Sequence, residues 1–139
     1  MKQSVAILIK QKNNFILQQR NDNPNIIFSG MITPWGGLVE DDDESIEYAA
    51  ARELREETGV EIQLDDLVLV SEYSVKDMSN EKKSEEIKIY NFFVELGEDV
   101  KVECFEGREL FFAKNIDDIP LLKRTEFLVK AIEAYEQTR

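Results

Sequence analysis

GGLVEDDDESIEYAAARELREETGV, residues 36–60, changes character twice within its length. It opens on a Gly-Gly pair, passes through an acidic run at 40–44, and ends in a stretch of Ala, Leu, Glu and Arg that stops at Gly59. Ala, Leu, Glu and Arg are strong helix formers, and a glycine just beyond them is where a helix ends. The spacing predicts a helix over 45–58, with Ser45 as its N-cap and Glu47 complementing the positive end of the dipole. Ile46, Ala50 and Leu54 recur at i, i+4 and i+8 and form the stripe that this helix buries.

The polar side of the same helix is more unusual. Glu53 and Glu57 are i, i+4 neighbours and Glu56 is i+3 from Glu53, so three carboxylates share about a third of the circumference. Like charges so placed destabilise an isolated helix by roughly a few tenths of a kcal/mol per pair, and bound cations relieve that cost. Magnesium is the natural candidate, because it takes oxygen ligands and is commonly shared between carboxylates and substrate phosphates. Arg52 and Arg55 supply part of the compensation without it. The Gly36-Gly37 pair lets backbone approach a ligand closely, so a carbonyl there could join the carboxylates.

Outward from this segment, the runs 5–9 and 15–18 are apolar and separated by Lys10-Gln11-Lys12-Asn13-Asn14, which suits a hairpin between antiparallel strands. Residues 21–25 read as a loop and 26–32 as irregular chain. Beyond the helix, 67–70, 87–96 and 109–113 read as strands, with 76–86 as a polar connection. Helical spacing returns over 124–135, with Phe127, Leu128, Ala131, Ile132 and Tyr135 on one side. The order implies a mixed β-sheet flanked by helices, an α/β fold built as one domain over 1–139.

Composition narrows the chemistry. A formal net charge of -12 works against the phosphate backbone of long nucleic acid, whose binding rests on Lys and Arg clusters. A small polyphosphate remains compatible, because divalent cations invert the local electrostatics of an acidic pocket. No apolar run reaches membrane-spanning length, and the N-terminal stretch reads as a buried strand, not a signal peptide. Cys104 is the single cysteine, which excludes an internal disulfide and points to a reducing cytoplasm. It reads as a strand residue and not a nucleophile, because the chain has no histidine to activate it. The absence of histidine also excludes a Ser-His-Asp triad and a His-ligated zinc site.

From Glu44 to Val60 the chain resembles the Nudix box, Gly-x5-Glu-x7-Arg-Glu-U-x-Glu-Glu-x-Gly-U, with U bulky and aliphatic. Glu44, seven residues, Arg52-Glu53-Leu54, Arg55, Glu56-Glu57, Thr58 and Gly59-Val60 match it position by position. One departure stands out: six residues, not five, separate Gly37 from Glu44, and the extra one lies in Asp41-Asp42-Asp43. The resemblance implies an α/β/α sandwich and magnesium- or manganese-dependent hydrolysis of a nucleoside diphosphate linked to another group. It further implies Glu53, Glu56 and Glu57 as metal ligands, with the Gly36 carbonyl beside them. Arg52 would orient a box glutamate, Glu44 would be structural, and Gly37 would lie close to substrate. The general base is then a box glutamate or a carboxylate from a later loop, for which Glu106 beside Gly107 is the candidate.

For Arg20, at the end of the second strand, the resemblance implies a reach to substrate phosphate; a plain surface residue is the other reading. Trp35, Phe28, Tyr73 and Tyr90 read first as core and second as faces for a base to stack on. The aspartates 41–43 read as a solvated loop, and an EF-hand is excluded because no glycine occupies the sixth position. A catalytically silent nucleotide sensor on the same fold is the alternative function, disfavoured because every box carboxylate is present. An isopentenyl diphosphate isomerase is weaker still without histidine. A homodimer is common among such proteins.

Overall fold

Alternation along the first strand organises the molecule. β1 (Lys2–Gln11) sends Val5, Ile7 and Ile9 into a core on one side of the sheet and Leu8 into a second core on the other. The computed structural model describes residues 2–20, 30–76, 85–105 and 108–138. Lys12 and Asn13, both at positive φ (53° and 67°), turn the chain into β2 (Asn14–Arg20), so that Gln11 faces Asn14. A two-residue turn with both central residues left-handed matches the twist of its strands, and asparagine accepts that conformation well.

β3 (Ile32–Thr33) adds to β2. β4 (Trp35–Leu38) instead pairs antiparallel with the first half of β1, opposite Ser4 to Ile7. Helix α1 (Ile46–Thr58) follows, capped by Ser45, whose Oγ accepts from the Tyr48 N–H at 3.0 Å, and ended by Gly59 at φ 74°. β5 (Val68–Lys76) and β6 (Glu86–Glu95) are antiparallel to each other, and β6 runs parallel to β1 from Lys2 opposite Ile87 to Lys10 opposite Glu95. β7 (Arg108–Ala113) pairs with β2, and helix α2 (Glu126–Gln137) completes the chain. The sheet order is β3-β2-β1-β6-β5, with β4 on β1 and β7 on β2.

Ala49, Ala50 and Leu54 of α1 pack with Val5, Ile7, Ile9, Trp35 and Phe92. Leu128, Ala131, Ile132 and Tyr135 of α2 pack with Leu8, Phe15 and Leu17 on the opposite face. This is the expected α/β/α sandwich around a mixed sheet.

The sequence reading needs correction at three places. Ile32, the last residue of the stretch expected to be irregular, opens a strand with Thr33, and 21–29 lie outside the described residues. β4 was missed because its two glycines hide it. β5 runs to Lys76, past the expected end at Val70; half-buried Tyr73 and Val75 alternate with exposed Glu72, Ser74 and Lys76, a short period-two signal that was missed, and pairing with β6 carries the strand through it.

Candidate active site

The polar face of α1 looks onto β4, and the backbone there explains both glycines. A Cβ on Gly36, at φ 147°, would fall 1.9 Å from the Val5 carbonyl oxygen of the neighbouring strand. A Cβ on Gly37 would fall 2.6 Å from Glu53 Oε1, so any larger residue there makes that carboxylate shift from its place. The Gly37 carbonyl accepts from Ser4 Oγ at 2.9 Å, which fixes the strand beneath the helix.

Glu57 is the most enclosed of the three carboxylates. Its Oε1 accepts the Gly36 N–H at 2.8 Å and its Oε2 lies 2.7 Å from Arg108 Nη1. Burial pushes its pKa up to about 7, against the Gly36 N–H bond and Arg108, with Glu53 adding to the rise. Desolvation also raises Glu53, opposed by Arg52. Glu56 is more open, its side chain 55% exposed. The Gly36 N–H, not its carbonyl, is thus the group seen to touch a box carboxylate.

Arg52 ties the acidic loop to the helix. Its Nε donates to Asp43 Oδ1 at 2.8 Å and its Nη2 to Asp43 Oδ2 at 2.9 Å and to the Leu38 carbonyl at 3.2 Å. Its Nη1 reaches Glu53 Oε1 at 3.1 Å and Glu56 Oε2 at 3.2 Å. Asp43 holds the guanidinium pKa well above its ordinary value, and the same hydrogen bonds hold the Asp43 carboxyl below its own. The acidic run is therefore not uniformly a solvated loop. Asp41 and Asp42 are exposed, but the Asp43 side chain is only 1% exposed. Glu44 is exposed and its side chain forms no ion pair among the described residues.

Arg20 and Arg108 stand opposite one another on β2 and β7. Burial, then the charge of Arg108, lowers the Arg20 pKa, while Glu57 acts the other way, so two guanidinium groups flank this carboxylate. Arg108 escaped the sequence reading, since only the β2–β7 register brings it here. Glu106 and Phe28 lie outside the described residues.

The aromatic candidates divide. Trp35 is core, with its Nε1 donating to the Ile16 carbonyl at 2.9 Å. The Tyr90 hydroxyl accepts from Gln3 Nε2 at 3.1 Å, and Lys130 lies 4.8 Å over the Tyr73 ring. Cys104 sits between β6 and β7 and not in a strand; burial raises its pKa, which argues further against a nucleophile.

Among the described residues no three carboxylates converge as a ready ligand set. Glu53, Glu56 and Glu57 are instead each met by a guanidinium or an N–H. The residues nevertheless fit a hard divalent cation: the side-chain atoms they offer are all oxygen, and two of the carboxylates stay raised in pKa although arginines already face them.

The NUDIX domain family matches residues 1–134. No curated protein matches the chain. A MutT/nudix family protein from Enterococcus faecalis shares the fold at TM-score 0.63 and 22% identity; the match covers 80% of this chain but 42% of that one. The E. coli ORF135 protein aligns at TM-score 0.74 and 24% identity, covering 100% of this chain and 91% of that one. A C. elegans Ap4A hydrolase aligns at TM-score 0.70 and 17% identity, over 99% and 97%.

Proposed function

From the premise that this chain belongs to the NUDIX family, and is a hydrolase of pyrophosphate linkages by that membership, we propose that it cleaves a nucleoside diphosphate joined to another group. The products are NMP with pyrophosphate, or NMP with the phosphorylated second group. The observation that carries this reading is the face of α1, where Glu53 and Glu57 are drawn out of water beside Gly36 and Gly37 and are met only by cations and an N–H.

Glu53, Glu56 and Glu57 would hold Mg2+ or Mn2+, with the Gly36 carbonyl as a further ligand. When bound, the ion supplies charge neutralisation on phosphate oxygens and lowers the pKa of a water. Gly37 keeps Glu53 close to the strand. Arg52 sets the orientation of Glu53 and Glu56 through Nη1, the nitrogen that Asp43 and the Leu38 carbonyl leave to them. Arg20 and Arg108, side by side at the strand edge, receive phosphate oxygens, for which a guanidinium fork is suited. A box glutamate or Glu106 takes the proton of the attacking water. One domain over 1–139 carries the whole site, acting on small nucleotides and not on long nucleic acid. No helix among the described residues is long and apolar enough to cross a membrane, and the single cysteine suits a reducing cytoplasm.

The test is release of phosphate and pyrophosphate from nucleoside triphosphates, nucleotide sugars and dinucleoside polyphosphates, with Mg2+ and with EDTA. The C. elegans Ap4A hydrolase gives one reason to include the last group. Metal-dependent cleavage of one class supports the reading and names the substrate; silence across all of them favours the sensor.

A further inference from the structure

The extra residue between Gly37 and Glu44 is absorbed by a closed turn. The Glu40 N–H donates to Asp43 Oδ2 at 2.8 Å, and the Asp43 N–H donates back to the Glu40 carbonyl at 3.0 Å. This reciprocal pair draws the Asp43 carboxylate inward, where both its oxygens meet Arg52, and leaves Glu44 outside. In this lengthened loop the acid that enters the helix's ion pair is Asp43, while its neighbour Glu44 stays in solvent.

We infer that Asp43, and not the box residue Glu44, is the positioning residue that aims Arg52 at the glutamates of the site. The inference rests on the metal-binding reading of Glu53, Glu56 and Glu57. A guanidinium has five donors in a rigid fork. Asp43 and the Leu38 carbonyl occupy Nε and Nη2, so Nη1 alone faces Glu53 and Glu56 and takes one oxygen from each. The second oxygen of each carboxylate stays available to a cation. Without Asp43 the fork is free to turn and grip a glutamate with two nitrogens, and Arg52 becomes a competitor of the metal. Asp43 thus touches neither metal nor substrate and acts through Arg52.

The test is Mn2+ binding to the full chain without nucleotide, by calorimetry or electron paramagnetic resonance, with thermal melting alongside. Asp43→Asn is expected to weaken Mn2+ by about tenfold or more, the usual scale for losing a group that orients a metal ligand. Glu44→Gln is expected to stay within about twofold of wild type, on the scale of surface changes. Deleting Asp43 restores five residues between Gly37 and Glu44 and brings the Glu44 carboxylate to the vacated place, so the deletion variant is expected to recover most of the affinity. Leu128→Ala, destabilised from the other face of the sheet, controls for stability alone and is expected to keep its Mn2+ affinity.

Wild-type affinity in Asp43→Asn, or the loss appearing in Glu44→Gln, overturns the inference. So does a deletion variant that melts like wild type yet binds as weakly as Asp43→Asn. A wild-type protein that binds no Mn2+ fails earlier, at the metal reading itself.

Discussion

Helices α1 and α2 are nearly equal in length and cover opposite faces of one sheet, yet they bury opposite kinds of side chain. α2 buries Leu128, Ala131, Ile132, Ala134 and Tyr135, all serving the core. α1 buries Ala49, Ala50 and Leu54 in the same way, but Arg52 and Glu57 as well. Burying a charge is unfavourable unless it is paired and hydrogen-bonded, and α1 meets that condition with Asp43, Arg108 and the Gly36 N–H. One helix is there to be stable; the other gives up stability to hold charge away from water.

The strongest way to break this contrast is on α1. Glu57→Gln is expected to lower nucleotide hydrolysis by roughly two to four orders of magnitude, the scale of a lost catalytic carboxylate, while the melting temperature in EDTA holds or rises. Preserved turnover at saturating Mg2+ would remove Glu57 from the metal site. The mirror experiment is Leu128→Ala on α2, expected to cost about 2–5 kcal/mol in urea unfolding and to leave kcat unchanged where the protein is folded. A large loss of kcat there would mean that the two faces are not separable.

A third prediction sharpens the contrast through pH. Glu57 keeps its proton up to about pH 7 in the folded protein, against an ordinary value of 4.5. Between those values the folded state binds more protons than the unfolded state, so stability falls as pH rises and levels off above about 7. In EDTA, unfolding of the wild type measured against Glu57→Gln should show this decline, amounting to roughly 2–4 kcal/mol. A flat difference would mean that burial does not govern this carboxylate. The smallest effects belong to the caps. Ser45→Ala, which loses the bond to the Tyr48 N–H, is expected to cost about 1 kcal/mol. Thr125→Ala should cost somewhat more, because its hydroxyl accepts from the Leu128 N–H and also donates to the Ile32 carbonyl. Equal melting temperatures for the two variants would show that the second bond contributes nothing.

What could be read in advance follows the same division. α1, its caps and its carboxylate face were legible because their signals are local: helix formers, a serine before them, a glycine after them, and fixed spacing. The hairpin and the α2 stripe were legible for the same reason. Arg108 was not, because its place beside Glu57 depends on strand register between β7 and β2. Asp43 was hidden among like neighbours, since only the closing of the 40–43 turn separates it from exposed Asp41 and Asp42. β4 was masked by the two glycines that the site requires.

The parallel pairing of β1 with β6 bears on how the chain is made. Synthesis delivers the apolar stretch Val5 to Ile9 well before its long partner, Glu86–Glu95, which emerges more than half of these 139 residues later. At about 5–20 residues per second the wait is on the order of ten seconds. No hairpin can shorten it, because a parallel pair needs a crossover, and here that crossover contains α1 itself. The edge of β1 that faces β6 therefore stays unpaired longer than the edge that β2 and β4 cover, and it is the edge open to aggregation on a nascent chain.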